Sequence, residues 1–364
     1  VWGSRAVLGV GLGGMRMPLY SGAGVAIYFL YLVPVAALAV MLFRWDPFRI
    51  KPDAKLRITS KRGLVAAAVL IMLGLASLII FTPFAAPDPD GRLRVDLLDV
   101  GQGDAALITF PNGETMLIDA GGQVDYRTDA EGDEDFEPDR ARIGEMVVSE
   151  FLWERGLSHV DHIVASHADS DHLQGLIDVA RNFSVGRAYF AEAQGETEES
   201  QMLYAILAER GVAAERLVDG EAMTVGGVRV DVLYPAANAS PSLAENDRSL
   251  VLMLTVGERR FLFTGDIEAE AERLLIESGA DLAADVVKVP HHGSRTSSTE
   301  AFVRGVRPRF AVIPVGRRSR FRHPDPQVVE RWNAAGAETL TTGSRGTITF
   351  ETDGQGIEVS AFVK

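Results

Sequence analysis

The sequence predicts an α/β fold: two strand-rich halves forming two sheets packed face to face with helices outside, preceded by two transmembrane helices. Three observations carry this. Short apolar strand runs bounded by turn residues recur through residues 93–364, with helical periodicity between them. Four of those strands end in Asp or His close to Gly. Two uncharged runs, Val25–Phe43 and Leu64–Phe81, precede them, and each has about the 18–20 residues that a helix needs to cross a bilayer.

Bulk composition narrows the chemistry. The chain has 364 residues, enough for two or three units, and is 47% hydrophobic and 24% charged. There is no cysteine, which excludes disulfides and thiolate ligands and leaves His, Asp and Glu to hold any metal. The formal net charge of −14 argues against a protein that coats nucleic acid along its whole surface.

The first unit is residues 1–84. Arg44, Arg49, Lys51, Lys55, Arg57, Lys61 and Arg62 lie between the two uncharged runs, against Asp46 and Asp53 alone. Short basic loops stay cytoplasmic, so the loop 44–62 is placed inside and everything after about residue 84 outside. A pair of buried core helices is the alternative. Residues 1–24 are glycine-rich and begin without methionine, which reads as a fragment of a longer membrane protein. Residues 85–92, with Pro87 and Pro89, read as a linker.

The second unit, 93–364, opens with strands at Leu93–Asp99, Ala105–Phe110 and Thr115–Asp119, the last two joined by a turn at Pro111-Asn112-Gly113. Residues 123–140 are rich in Asp and Glu and read as an acidic surface insertion. Helical signals follow at Ile143–Arg155, Ser200–Arg210 and Glu268–Ser278. Hairpins run through Met223–Leu233, Leu250–Thr255 and Arg260–Thr264. From Asp285 strand and helix alternate.

His167-Ala168-Asp169-Ser170-Asp171-His172 places two imidazoles and two carboxylates in six residues, between a strand ending at Ser166 and a helix beginning at Leu173. Strand-to-helix loops are where α/β enzymes place their chemistry. Asp119, Asp266 and the pair His291-His292 stand at three more strand ends. Together these ends hold four of the chain's seven histidines, a pattern that points to a metal centre.

These residues resemble the metallo-β-lactamase fold superfamily, whose motif is His-x-His-x-Asp-His. The implied fold is a metallo-β-lactamase-like αββα sandwich. More narrowly, Asp99–Ala105, Ser166–Gly175, Asn246–Leu252, Lys288–Ser298 and Gly316–Pro324 resemble the C-terminal part of the ComEC family, channel proteins for DNA uptake in natural competence. The resemblance implies two divalent metal ions. His167 and Asp169 would hold one, Asp171 and His172 the other, and Asp266 would bridge. His291 or His292 would complete the ligand set, and the other would steady developing charge. Asp171, His291 and His292 are thus the catalytic expectations, with Asp104, Asp119 and Asn246 in support. Asp169 stands where many superfamily members have His, and Asn246-Asp247-Arg248-Ser249 replaces a further His ligand. Oxygen donors in place of nitrogen favour Mn²⁺ or Mg²⁺, with Zn²⁺ still accommodated.

Arg295, Arg317, Arg318, Arg320 and Arg322, with His323, form a basic stretch after the paired histidines. Guanidinium forks suit phosphate oxygens. The family pattern there is Gly-His-Pro, where this chain has Arg322-His323-Pro324. The resemblance therefore implies a membrane-anchored, metal-dependent DNA nuclease that degrades the strand not imported. Its partners would be DNA, the bacterial inner or plasma membrane, the channel part of the same protein and other competence proteins. Two other functions fit the same residues: a hydrolase of a lactone, phosphocholine ester or β-lactam, and a non-catalytic DNA-guiding domain.

Overall fold

Period-two alternation sorts the apolar residues of the second unit into two cores. In the computed structural model, which describes residues 26–43, 62–81, 88–122, 143–191, 197–240 and 242–363, strand β9 (Val251–Val256) shows this plainly. Leu252 and Leu254 face one cluster, and Val251 and Met253 face the other. Side chains on a strand alternate faces, so a strand apolar on both must be covered on both.

The first cluster lies between two sheets. It joins Val95 of β1 (Leu93–Leu97), Ile108 of β2 (Ala105–Thr109), Met116 of β3 (Thr115–Ala120) and Val164 of β4 (His159–Ala165) to Val230 of β8 (Val228–Tyr234). Phe261 of β10 (Arg259–Phe263), Val286 of β11 (Val286–Lys288) and Phe310 of β12 (Phe310–Ile313) complete it. The first sheet has eight strands, adding β5 (Ser184–Phe190), β6 (Ala213–Arg216), β14 (Ile348–Thr352) and β15 (Ile357–Ala361) in the order β15-β14-β1-β2-β3-β4-β5-β6. The second has seven, with β7 (Ala222–Val225) and β13 (Glu338–Thr341), in the order β13-β12-β11-β10-β9-β8-β7. Helices cover the outside of the second sheet, where Trp332 meets Phe302 edge-on at 6.4 Å in the outer cluster. Two sheets inside and helices outside is the αββα arrangement expected from the sequence.

Parallel pairing runs through β3-β4-β5-β6 and through β10-β11-β12-β13. Parallel strands present their carboxyl ends together, and polar residues at those ends converge. The fold thus gathers Asp119, His167–His172, Asp266 and His291-His292 from four strand ends.

Boundaries moved by a few residues. β4 ends at Ala165, one residue before the expected Ser166, and the following helix begins at Ser170, inside the metal motif and three residues before the expected Leu173. The helix expected at 143–155 opens as a π-helical stretch, Gly144–Ser149, before Glu150–Glu154.

The chain divides into two compact units, and the first holds the uncharged runs. Both runs are helical: α1 covers Ala26–Phe43 and α2 covers Arg62–Phe81, and the two pack together. Among the described residues no helix is long and apolar enough to cross a membrane. The basic loop, apart from Arg62, and the acidic insertion lie outside the described residues.

Candidate metal centre

Asp119, the next-to-last residue of β3, lies in the left-handed region, φ 55°. Its carboxylate collects three donors: the Ser166 backbone N–H at 2.8 Å, the Ser166 hydroxyl at 2.7 Å and His172 Nδ1 at 2.9 Å. His172 lies in the first turn of α3 (Ser170–Asn182) and is fully buried. Asp119 therefore does not face the cluster directly; it orients the imidazole that does.

The pair His291-His292 occupies two successive left-handed positions, φ 47° and 51°. Non-glycine residues hold such angles at a cost of about 1–3 kcal/mol each, and functional sites are where that strain concentrates. The turn sends the two rings apart. His292 is buried, with Nδ1 2.9 Å from the Pro314 carbonyl. His291 turns to Glu268, 2.9 Å from its carboxylate. Of the two histidines left open by the sequence, His292 enters the cluster and His291 does not.

Asp104, His172, Asp266 and His292 are all buried and offer ligand atoms within 4.8 Å of one another. Their roles separate by atom. Both Nδ1 atoms face acceptors, Asp119 for His172 and the Pro314 carbonyl for His292, so in the neutral form that binds a metal each ring would carry its proton there. The two Nε2 atoms then present lone pairs toward each other at 3.4 Å. Asp266 Oδ2 stands 3.3 Å from His172 Nε2 and 3.1 Å from His292 Nε2. Asp171 Oδ2 approaches His292 Nε2 at 3.4 Å. Lone pairs pointing at a common centre repel unless positive charge lies among them, and a divalent cation with N and O ligands satisfies all of them. Asp104 lies on the opposite edge, 3.3 Å from His292 Nδ1 and 3.8 Å from His172 Nδ1.

Electrostatics point the same way. Burial opposes charge on His172 and His292, but Asp266 and Asp104 hold both imidazoles well above the ordinary histidine range. Burial would raise Asp266, yet His292, His172 and Lys288 hold it well below the carboxylate range. A site that attracts protons this strongly attracts metal in their place.

Local packing fixes the geometry. Gly103 has φ 120°, and a Cβ there would lie 2.2 Å from the Asp171 carbonyl. Only glycine lets the Asp104 N–H reach that carbonyl, at 3.2 Å. Asp266 is positioned by its backbone N–H, which donates to Ser249 Oγ at 3.1 Å.

The remaining expected residues are less central. His167 Nε2 is buried without a hydrogen-bond partner, and the ring lies 4.1 Å from that of His172. Asp169 approaches His167 Nε2 at 3.5 Å, but its side chain is 41% exposed. Among the described residues no contact pairs His167 with Asp266. Asn246 lies outside the cluster; its carbonyl accepts from Ser249 Oγ at 2.7 Å and so acts one step back. A cleft of about 380 Å³ opens beside His167, walled by Leu173, Tyr204 and Phe190, whose ring stacks on Tyr204 at 4.4 Å.

Arg295, Arg317, Arg318, Arg320 and Arg322 are exposed. Arg317 Nε donates to the Gly343 carbonyl, and none of the five pairs with a carboxylate among the described residues. Their loop is tied to the loop bearing Asp104 by Ser319 Oγ, which donates to Gln102 Oε1 at 3.0 Å. Arg322 has φ 60°, a left-handed position that glycine would adopt without strain. His323 sits between Phe321 and His291, with ring centroids at 5.7 and 5.6 Å. Burial and the charges of His292 and His291 push it down to about 4, so it is neutral near pH 7.

Sequence reasoning missed Lys288. It is 4% exposed and its Nζ meets both Asp104 and Asp266. One signal was available, since a lysine inside Val286-Val287-Lys288-Val289 is a charge in an otherwise apolar strand. Ser166, which ties Asp119 to His167, left no such signal.

A family model described as "Metallo-beta-lactamase superfamily" matches residues 98–317. ComE operon protein 3 of Bacillus subtilis (strain 168) is 29% identical over 296 residues, covering 80% of this chain and 37% of that protein. Competence protein ComA of Neisseria gonorrhoeae is 27% identical over 293 residues, covering 79% of this chain and 36% of that protein. Igni18, described as a novel metallo hydrolase from the hyperthermophilic archaeon Ignicoccus hospitalis KIN4/I, aligns with a TM-score of 0.45 and 16% identity, covering 71% of this chain and 99% of that one. The chain spans little more than a third of the curated relatives' length. The resemblance to competence proteins drawn from the motifs is borne out.

Proposed function

The chain belongs to the metallo-β-lactamase superfamily, and from that premise we propose that it is a metal-dependent phosphodiesterase that cuts DNA during natural competence, degrading the strand not imported. One observation carries the reading: Nε2 of His172, Nε2 of His292 and Oδ2 of Asp266 converge within 3.4 Å while their other edges are already engaged. A divalent ion held there, with Asp171 as a further ligand, supplies Lewis acidity toward a phosphate ester. The protein's own groups do the rest. Asp119 and the Pro314 carbonyl fix the imidazole tautomers. Asp171, held anionic against burial by His292 and His172, is suited to serve as a ligand and to orient a water by accepting a hydrogen bond. The unpaired arginines of the 317–322 loop supply phosphate contacts, and neutral His323 supplies a ring nitrogen for a hydrogen bond.

The names of the relatives, both competence proteins or their operon products, favour DNA over other esters. A lactone, phosphocholine ester or β-lactam would not need five exposed arginines. We also read α1 and α2 as a membrane anchor in the bacterial inner membrane, with the second unit on the extracytoplasmic side. Phe29, Leu32, Val33, Leu64, Leu70 and Leu73 are exposed on this helix pair and ask for an apolar covering. A reporter fused after Lys364 and active only in the cytoplasm would reject that topology.

The test of function is direct. Purified chain with Mn²⁺, Mg²⁺ or Zn²⁺ is incubated with single-stranded DNA. Cleavage in at least one metal, abolished by Asp171→Ala with circular dichroism unchanged, is the expected result. DNA binding that survives Asp171→Ala, with no cleavage in any metal, would mean a DNA-guiding domain instead.

A further inference from the structure

Lys288 ends β11 on the same side as Val286, so its chain points into the layer between the sheets at the end where the centre lies. An ammonium has three N–H donors. Each finds an acceptor: the Gly265 carbonyl at 2.6 Å, Asp266 Oδ1 at 3.0 Å and the Asp104 carboxylate. Lys288 is thus bound like an ion in a pocket built for positive charge.

Asp266 divides its two oxygens between two positive centres. Oδ2 faces the imidazole nitrogens and Oδ1 faces Lys288. A carboxylate that bridges two ions through both of its oxygens needs each oxygen free for an ion. Here the second oxygen is already taken by an ammonium. The other half of the motif adds little: among the described residues His167 Nε2 has no hydrogen-bond partner, and Asp169 approaches it at 3.5 Å.

We propose that the centre holds a single tightly bound divalent ion, with the Lys288 ammonium as its permanent second cation. The ion sits among Asp171, His172, Asp266 and His292, and Lys288 neutralises Asp104 and the far oxygen of Asp266. Lys288 is a positioning residue: it fixes the Asp266 carboxylate so that Oδ2 points to the ion. The inference rests on reading the cluster as a metal site, but its test counts ions and needs no DNA.

The full chain is freed of metal with a chelator, loaded with excess Mn²⁺, passed through a desalting column and assayed for retained manganese per chain. Wild type is expected to retain one equivalent. Lys288→Met keeps the bulk and removes the charge, leaving Asp104 and Asp266 anionic, and is expected to retain two. Lys288→Arg is expected to stay at one. Should Lys288→Met fold poorly, the double variant Asp104→Asn/Lys288→Met removes both charges together and is expected to retain one. Two equivalents in wild type would overturn the proposal, as would one equivalent in a folded Lys288→Met. One equivalent in a wild type that cuts no DNA would leave this proposal standing and reject the nuclease reading.

Discussion

The two halves of the His167–His172 motif are one residue apart in sequence and differ sharply in surroundings. His172 is buried, oriented by Asp119 and faced by Asp266 and His292. Asp171 reaches the same centre through His292. In the other half, Asp169 is 41% exposed and stands 3.5 Å from His167 Nε2, which has no hydrogen-bond partner among the described residues. The difference teaches that four ligand-type side chains in a row do not make two equal sites. A site forms where other strand ends bring complementary groups, and among the described residues Asp266 and His292 come to the second half.

The largest effect should come from breaking the shared corner. Asp266→Ala or His292→Ala is expected to abolish the retained manganese and to lower DNA cleavage by at least ~10³-fold, since each leaves buried lone pairs with no cation to serve. Metal assay and a cleavage time course check this. Next comes the support behind His172. Asp119→Asn removes the charge that orients Nδ1 and is expected to weaken metal binding about 10–100-fold, read by competition with a chromophoric chelator. The outer half should matter less: His167→Ala and Asp169→Ala are each expected to shift the affinity of the first equivalent by less than about tenfold. Equal losses from both halves would erase the comparison. Reversing charge at Arg317, Arg318 and Arg320 should leave metal content unchanged while weakening DNA binding and flattening its dependence on salt. The smallest effect is expected from Ser249→Ala, which removes one acceptor behind the Asp266 N–H. It should cost roughly 1 kcal/mol in denaturant unfolding, with one ion still retained.

Particular residues show how much was legible. The strands were readable because their alternation is local: Leu252 and Leu254 against Val251 and Met253 can be seen in one window. The metal-bearing ends were readable because Asp119, Asp266 and His291-His292 each follow an apolar run and sit beside glycine. The choice between His291 and His292 was not, since it depends on two left-handed backbone positions and on Glu268 and Pro314. Lys288 lay in a stretch singled out for its resemblance, yet its role depends on Asp104, far away in the chain.

The sequence by itself determined the two-sheet architecture, the resemblance to the family and the set of candidate donor residues, because periodicity and motif spacing are properties of neighbouring positions. Tertiary structure alone decided which donors converge, which histidine enters, and that an ammonium shares Asp266 with the imidazole nitrogens. Those outcomes depend on distances between strand ends that no local spacing encodes, and on burial, which makes each unpaired charge costly enough to select one arrangement.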